Sequence, residues 1–110
     1  MARKQLGLLQ GTVDVLILKT LTWAPMHGYG ISQWIDQQSK GQLAVEDAAL
    51  YQALHRLERK GLVEAEWTIS DKNHRAKYYK LTVPGRRQLR NEIAELRSYM
   101  AVLFQVLGVA

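Results

Sequence analysis

At Gly61 the apolar spacing of this chain changes from helical to alternating, with no linker between the two patterns. Leu50, Leu54 and Leu57 recur every three or four positions and fall, with Gly61, on one side of a helix. From Val63 onward, Val63, Ala65, Trp67 and Ile69 alternate with Glu64, Glu66, Thr68 and Ser70, the two-residue period of a half-buried strand. A helix joined so closely to a strand has little freedom to change its angle to it. Gly61 in a left-handed position, with Leu62 packing back on the helix, would hold the joint rigid.

Leu9, Val13, Leu16, Ile17 and Leu21 have helical spacing over 9–22, and the run closes before Pro25, whose preceding residue is biased away from helix. HGYG at 27–30 opens a second helix with Ile31, Trp34 and Ile35 inward, entered tightly because glycine is a poor helix former; Gly41 stands where a left-handed cap would end it. Asp47 is the expected N-cap of a third helix running to Lys60. After the strand, SDKNHR reads as a polar turn and residues 76–83 as the returning arm of a hairpin. Thr82 or Val83 caps the last helix, with Pro84 in its first turn. The order is three helices, a hairpin and a helix: a mainly α fold with one small hairpin.

With 110 residues, 47% of them apolar, the chain suits one small core, and no internal repeat or Pro/Gly-rich linker divides it. The net charge of +5 and a pI of about 9.7 favour a polyanionic partner, either nucleic acid or an anionic membrane surface. Without cysteine there is no disulfide, thiolate metal site or thiol nucleophile. The N-terminus has no apolar run with a small-residue cleavage site, so a cytoplasmic protein is expected. The apolar tail from Tyr99 is about a dozen residues, short of the roughly twenty needed to span a bilayer, so no membrane insertion is expected.

On the third helix Ala48, Gln52, His55, Arg56 and Arg59 lie opposite the leucines, and Glu58 is rotated to the flank. One interpretation is a plain solvated face. The other is a helix laid in the DNA major groove, where glutamine pairs with adenine, arginine with guanine, and an alanine meets a thymine methyl. Such a helix reads bases with its N-terminal part, which makes Tyr51, Gln52 and His55 candidates for base edges or nearby phosphates and Arg59 for phosphate. Lys72, His74, Arg75 and Lys77 cluster at the hairpin tip, where Asp71 is the only carboxylate over residues 71–90. Exposed hairpin tips are often basic for solubility alone; cations grouped on a protruding loop can also neutralise phosphates and release condensed counterions. Side by side, the two features describe a winged helix-turn-helix with a recognition helix at about 47–60 and a basic wing at about 68–80.

Leu89, Ile93, Leu96, Met100, Leu103 and Leu107 are spaced alternately by four and three, a seven-residue repeat that asks for a partner helix. A helix over about 84–108 would be roughly 37 Å long at 1.5 Å per residue, more than so small a domain covers. Tyr99, Val102, Phe104 and Val106 widen the stripe, so the contact is expected to include more than one neighbouring helix. The expectation is a homodimer, with residues 1–83 as the DNA-binding domain and 84–110 as the dimerisation helix. Two-fold symmetry then presents the recognition helices to a palindromic operator.

Taken together, LLQGTVDVLILKTL at 8–21, PMHGYGI at 25–31, ALYQALHRLERKGLVEAEW at 49–67 and RAKYYKLTVPGRRQL at 75–89 resemble the PadR family of bacterial transcriptional regulators. The resemblance is to the short type with a single C-terminal dimerisation helix. It implies a winged helix-turn-helix dimer that represses or regulates a nearby gene, relieved in some members by a small-molecule effector at or near the dimer interface. It also places the family's recognition-helix tyrosine on Tyr51 and the wing's basic residues on Arg75 and Lys77. The sequence departs from the pattern at Gln52, where many members have proline, at Asp47, Ala48 and Ala49, and at Thr68. No tryptophan follows Trp67, so the drug-stacking mode of some relatives does not carry over.

Readings of other classes fare worse. The three histidines, His27, His55 and His74, are far apart in sequence and form no close metal-ligand spacing with a carboxylate, and no phosphate loop or GxSxG elbow is present, so neither an enzyme nor a bound cofactor is expected. A winged helix that binds protein instead of DNA remains the alternative; its exposed helix face would be apolar or aromatic, unlike Gln52, His55 and Arg59. Peripheral membrane attachment through the apolar tail is the third.

Overall fold

The computed structural model describes residues 11–69 and 72–109. Leu9 and the proposed start of the first helix, together with Ser70 and Asp71 of the hairpin turn, lie outside the described residues. The first helix, α1, spans Thr12–Thr20 and follows Gly11, whose φ of +87° suits glycine. Ile17, Leu18 and Leu21 are its buried apolar face, and the buried Thr20 hydroxyl donates to the Leu16 carbonyl at 2.8 Å, so no polar atom is stranded.

Met26–His27 then form a two-residue strand, β1, that the sequence did not announce, because two residues carry no period. Helix α2 spans Gly28–Gln38, with His27 as its N-cap: the imidazole Nδ1 accepts the Gly30 N–H at 2.9 Å. The cap restrains the helix entry that the glycines at 28 and 30 weaken. Ile31 and Ile35 are buried, as spacing required. The helix ends one turn before Gly41, and Lys40 as well as Gly41 takes a left-handed conformation, φ 53° and 79°.

Helix α3 spans Asp47–Arg59 and buries Leu50, Ala53, Leu54 and Leu57. Asp47 is not its N-cap. Glu46 takes that position with extended backbone and makes no side-chain cap, while Asp47 contributes negative charge from within the first turn, where it still complements the helix dipole. At the other end Gly61 has φ 73°, its N–H donates to Glu58 O at 3.0 Å, and the Leu62 N–H donates to Leu57 O at 2.9 Å. These are the two bonds of a Schellman cap.

Strands β2 (Val63–Ile69) and β3 (Arg75–Leu81) pair antiparallel from Val63 opposite Leu81 to Ile69 opposite Arg75, and β1 adds to the far side of β3 for the order β1-β3-β2. The hairpin is thus the major part of a three-stranded sheet. Only its root is buried: Val63 and Tyr79 reach the core, whereas Trp67 and Ile69 are 57% and 68% exposed, against the half-buried strand that alternation suggested. Alternation identifies a face; the hairpin extends beyond the core that would cover it.

The last helix, α4, spans Val83–Leu107 and begins on Thr82, whose hydroxyl accepts the Gly85 N–H at 3.0 Å and donates to the Gly61 carbonyl at 2.8 Å. The Thr82 N–H also donates to Leu62 O at 3.2 Å, so the start of α4 is tied to the joint between α3 and β2. Gly85 lies directly against that joint. A Cβ there would overlap the Leu62 carbonyl and approach Leu81 Cδ1 to 2.8 Å. Gly85→Ala is therefore expected to lower the unfolding free energy by about 1–3 kcal/mol through overpacking, read from chemical denaturation; an unchanged midpoint would show that the joint has slack.

Candidate nucleic-acid interface

Helix α3 presents Ala48, Tyr51, Gln52, His55 and Arg59 to solvent, because its leucines commit the opposite side to the core. Arg56 belongs elsewhere. Its guanidinium donates to Asp14 of α1 at 2.8 Å, with Asp14 mostly covered, so it ties α3 to α1 instead of standing on the outward face. Tyr51 leans toward the start of α2: a Cβ at Gly28 would come within 2.6 Å of the tyrosine Oη. Gly28 is thus needed for close approach as well as for the helix entry.

The wing has a gradient along one face of β3. Tyr79 at the root is buried, Lys77 is half-buried, and Arg75 near the tip is exposed, all three on the same side because they are two residues apart. The Arg75 guanidinium lies over the Trp67 ring, 4.8 Å from its centre, a cation–π contact with the paired strand that leaves the cation near the tip. Lys77 Nζ is 3.2 Å from Glu58 of α3 and 5.4 Å from the centre of the Tyr79 ring. Partial burial acts against the Lys77 ammonium, but the bond to Glu58 and the neighbouring Tyr79 outweigh it and hold its pKa above the ordinary 10.5. A raised lysine pKa stabilises the fold fully below the unfolded value and ceases to do so as pH rises through the folded one, so this link is intact across neutral pH. Burial also pushes the Tyr79 phenol up, with Lys77 opposing. Lys72 and His74 are exposed at the tip, beside Asn73 in a left-handed conformation, φ 61°.

Between the start of α2, the outward side of α3 and the wing is a cleft of about 490 Å³, lined among others by Tyr29, Tyr51, His55, Trp67, Arg75 and Lys77. It brings Tyr51 and His55 together with Arg75 and Lys77. Ala48, Gln52, Arg59, Lys72 and His74 lie outside its lining, and Arg56 is turned toward α1. Sequence reasoning missed three contributors. Tyr29 and His27 follow from the HGYG entry, and His27 stacks edge-on to Tyr78 with centroids 5.3 Å apart. Trp67 could have been found from its strand register opposite Lys77, two pairs from Arg75 and on the same face.

A second exposed surface runs along α4. Tyr99, Val102, Val106 and Leu107 are well exposed, and Leu96 and Phe104 partly so. With the start of α1 this helix forms a groove of about 540 Å³ lined by Asp14, Val15, Glu92, Glu95, Leu96 and Tyr99. Leu89 is an exception within the heptad: it is buried in the chain's own core, because the first turns of α4 pack there. Ile93, Met100 and Leu103 are half-buried. Among the described residues, no helix is long and apolar enough to cross a membrane, and no group of three or more histidine or acidic side chains is disposed to hold a metal ion.

The sequence pattern of the transcriptional regulator PadR-like family matches residues 17–91. A PadR family transcription regulator from Clostridium difficile R20291 superposes with a TM-score of 0.75 at 30% identity, over 88% of this chain and 99% of that one. A PadR family transcriptional regulator from Eggerthella lenta gives a TM-score of 0.80 at 28% identity, over 92% and 86% of the two chains. Bacillus subtilis PadR in complex with operator DNA shares the fold with a TM-score of 0.68 at 22% identity, over 74% of this chain and 47% of that longer one.

The two arginines of α3 differ in what they touch: Arg56 pairs with Asp14, and Arg59 is exposed. Arg56→Gln should lower stability by at most about 1 kcal/mol, as for a partly exposed ion pair, and leave the salt dependence of DNA binding unchanged. Arg59→Ala should leave stability nearly unchanged and flatten the salt dependence. Thermal unfolding and binding titrations across a salt series read both, and a flattened salt dependence for Arg56→Gln would return that residue to the DNA side.

Proposed function

Since the chain belongs to the PadR-like family of transcriptional regulators, we propose that it is a repressor that binds a palindromic operator as a homodimer in the cytoplasm. The observation that carries this reading is the adjacency of an exposed polar face, Tyr51, Gln52, His55 and Arg59, to a wing whose Arg75 stands out over Trp67. The N-terminal half of α3 enters the major groove, where Gln52 reads a base edge and Ala48 a methyl group. Tyr51 and His55, on the wing side of the helix, approach the backbone or the nearest base. Arg59, Arg75, Lys72 and His74 meet phosphates and supply the sequence-independent part of affinity. The operator-bound state of Bacillus subtilis PadR supports this use of the fold.

The division into a DNA-binding domain, residues 1–83, and a dimerisation helix, residues 84–110, is part of the proposal. Apolar side chains exposed from Leu96 to Leu107 support a partner along the second half of α4. Two-fold pairing there sets two copies of α3 on half-sites about one helical turn apart. The α1–α4 groove beside that stripe is where a small-molecule effector would bear on the dimer.

Selection of bound fragments from random DNA should return an inverted repeat. Arg75→Ala should weaken binding to all duplexes alike and lower the slope of log K against log salt by about one. Gln52→Ala should instead change which sequence is preferred; unchanged preference would remove it from base reading. Leu96→Asp should yield monomers in sedimentation analysis with greatly reduced operator affinity, and an unaltered dimer mass would refute the assigned interface.

A further inference from the structure

Lys77 is a basic residue on the wing, and charge alone would assign it to a phosphate. Its surroundings argue otherwise. It sits between the exposed Arg75 and the buried Tyr79, its ammonium 3.2 Å from Glu58 and above the Tyr79 ring. Glu58 is in the last turn of α3, where a carboxylate opposes the helix dipole. On a surface meant for a polyanion it would also repel phosphate unless neutralised. A glutamate in that position is costly for the helix and for DNA alike, and Lys77 removes both costs by pairing with it.

The pair also spans the angle between helix and wing, which bears on whether both can contact one duplex at once. The Gly61 cap fixes α3 to the base of β2, and β2 fixes β3 through the strand register. With β1, which pairs with β3 at Tyr78 and Tyr79, these hold the root of the hairpin; beyond it Trp67 and Ile69 pack on no core and leave the hairpin free to tilt toward or away from the helix. The Lys77–Glu58 bond is a crosspiece at that height, and Arg75 is one strand period beyond it.

We propose that Lys77 is a positioning residue and not a phosphate ligand: through Glu58 it sets the inclination of the wing to α3, so that Arg75 reaches the DNA backbone while α3 is in the groove. The proposal rests on the DNA-binding reading above. It assigns Glu58, an acidic residue at the edge of the interface, a favourable part in binding DNA.

The test uses the full chain, fluorescein-labelled double-stranded DNA of mixed sequence, and anisotropy titrations over a sodium chloride series. Lys77→Met keeps the aliphatic stem over Tyr79 and removes the charge; Glu58→Gln removes the partner. Each should weaken binding by about twofold to fivefold, as loss of a partly exposed pair allows, with the salt slope changed by much less than the roughly one unit that loss of a phosphate contact gives. The charge-reversed pair, Glu58→Lys with Lys77→Glu, should recover most of the parental affinity, which rescue by packing alone would not do. Circular dichroism melts confirm that each variant is folded. A salt slope lowered by about one in Lys77→Met, or tighter binding by Glu58→Gln, would overturn the proposal and make Lys77 a phosphate contact. If the parent associates with no duplex at low salt, the DNA-binding reading itself fails, and this one falls with it.

Discussion

Two peptide groups, Gly61 and Leu62, hold this fold in register. The Leu62 N–H closes the cap of α3 on Leu57, its carbonyl accepts from Thr82, and the bare Cα of Gly85 lies against it. The Gly61 carbonyl takes the Thr82 hydroxyl, which itself caps α4. Three elements that would otherwise meet through flexible turns thus share one hydrogen-bonded joint: the helix that carries the outward polar face, the strand that begins the wing, and the long helix whose far half is apolar and exposed. A rotation of any one requires breaking hydrogen bonds of this joint, each contributing about 0.5–1.5 kcal/mol net. In the proposed dimer, rigidity at the joint would keep the spacing between two distant α3 helices from blurring.

Net positive charge describes the chain poorly until its cations are sorted by what they touch. Arg56 and Lys77 are both near the interface in sequence, yet one ties α3 to α1 through Asp14 and the other ties the wing to α3 through Glu58. Lys80 pairs across the strands with Glu64 at 3.6 Å, both exposed, and contributes little to stability. Arg59 on α3 and Lys72 and Arg75 on the wing are exposed cations. The cations thus divide into those that hold one element to another and those left exposed to solvent.

Legibility in the sequence followed the range of the interactions. The third helix, the glycine joint and the threonine cap of the last helix were readable because periodicity and capping act over a few residues. β1 was not, since its existence depends on pairing Met26 and His27 with Tyr79 and Tyr78, far along the chain. A helical projection put Arg56 on the outward half of α3 but could not see Asp14 waiting 42 residues earlier. The heptad counted Leu89 with its successors, although the first turns of α4 belong to the domain's own core and only the later ones protrude. Asp47 and Glu46 are neighbours with similar chemistry, and the backbone decided which would stand outside the helix. On the wing, alternation gave the correct face for Trp67 but overestimated its burial, and that exposure is what leaves Trp67 available to Arg75.

The central claim is that one rigid unit of helix and wing meets a duplex, and that it does so twice. Hydroxyl-radical footprinting of a bound duplex tests this directly, because it maps backbone protection nucleotide by nucleotide. The account requires two protected patches on one face of the DNA, related by two-fold symmetry and centred about ten base pairs, or a multiple of that, apart. Uniform cleavage at low ionic strength, or one patch without a symmetry mate, would contradict it.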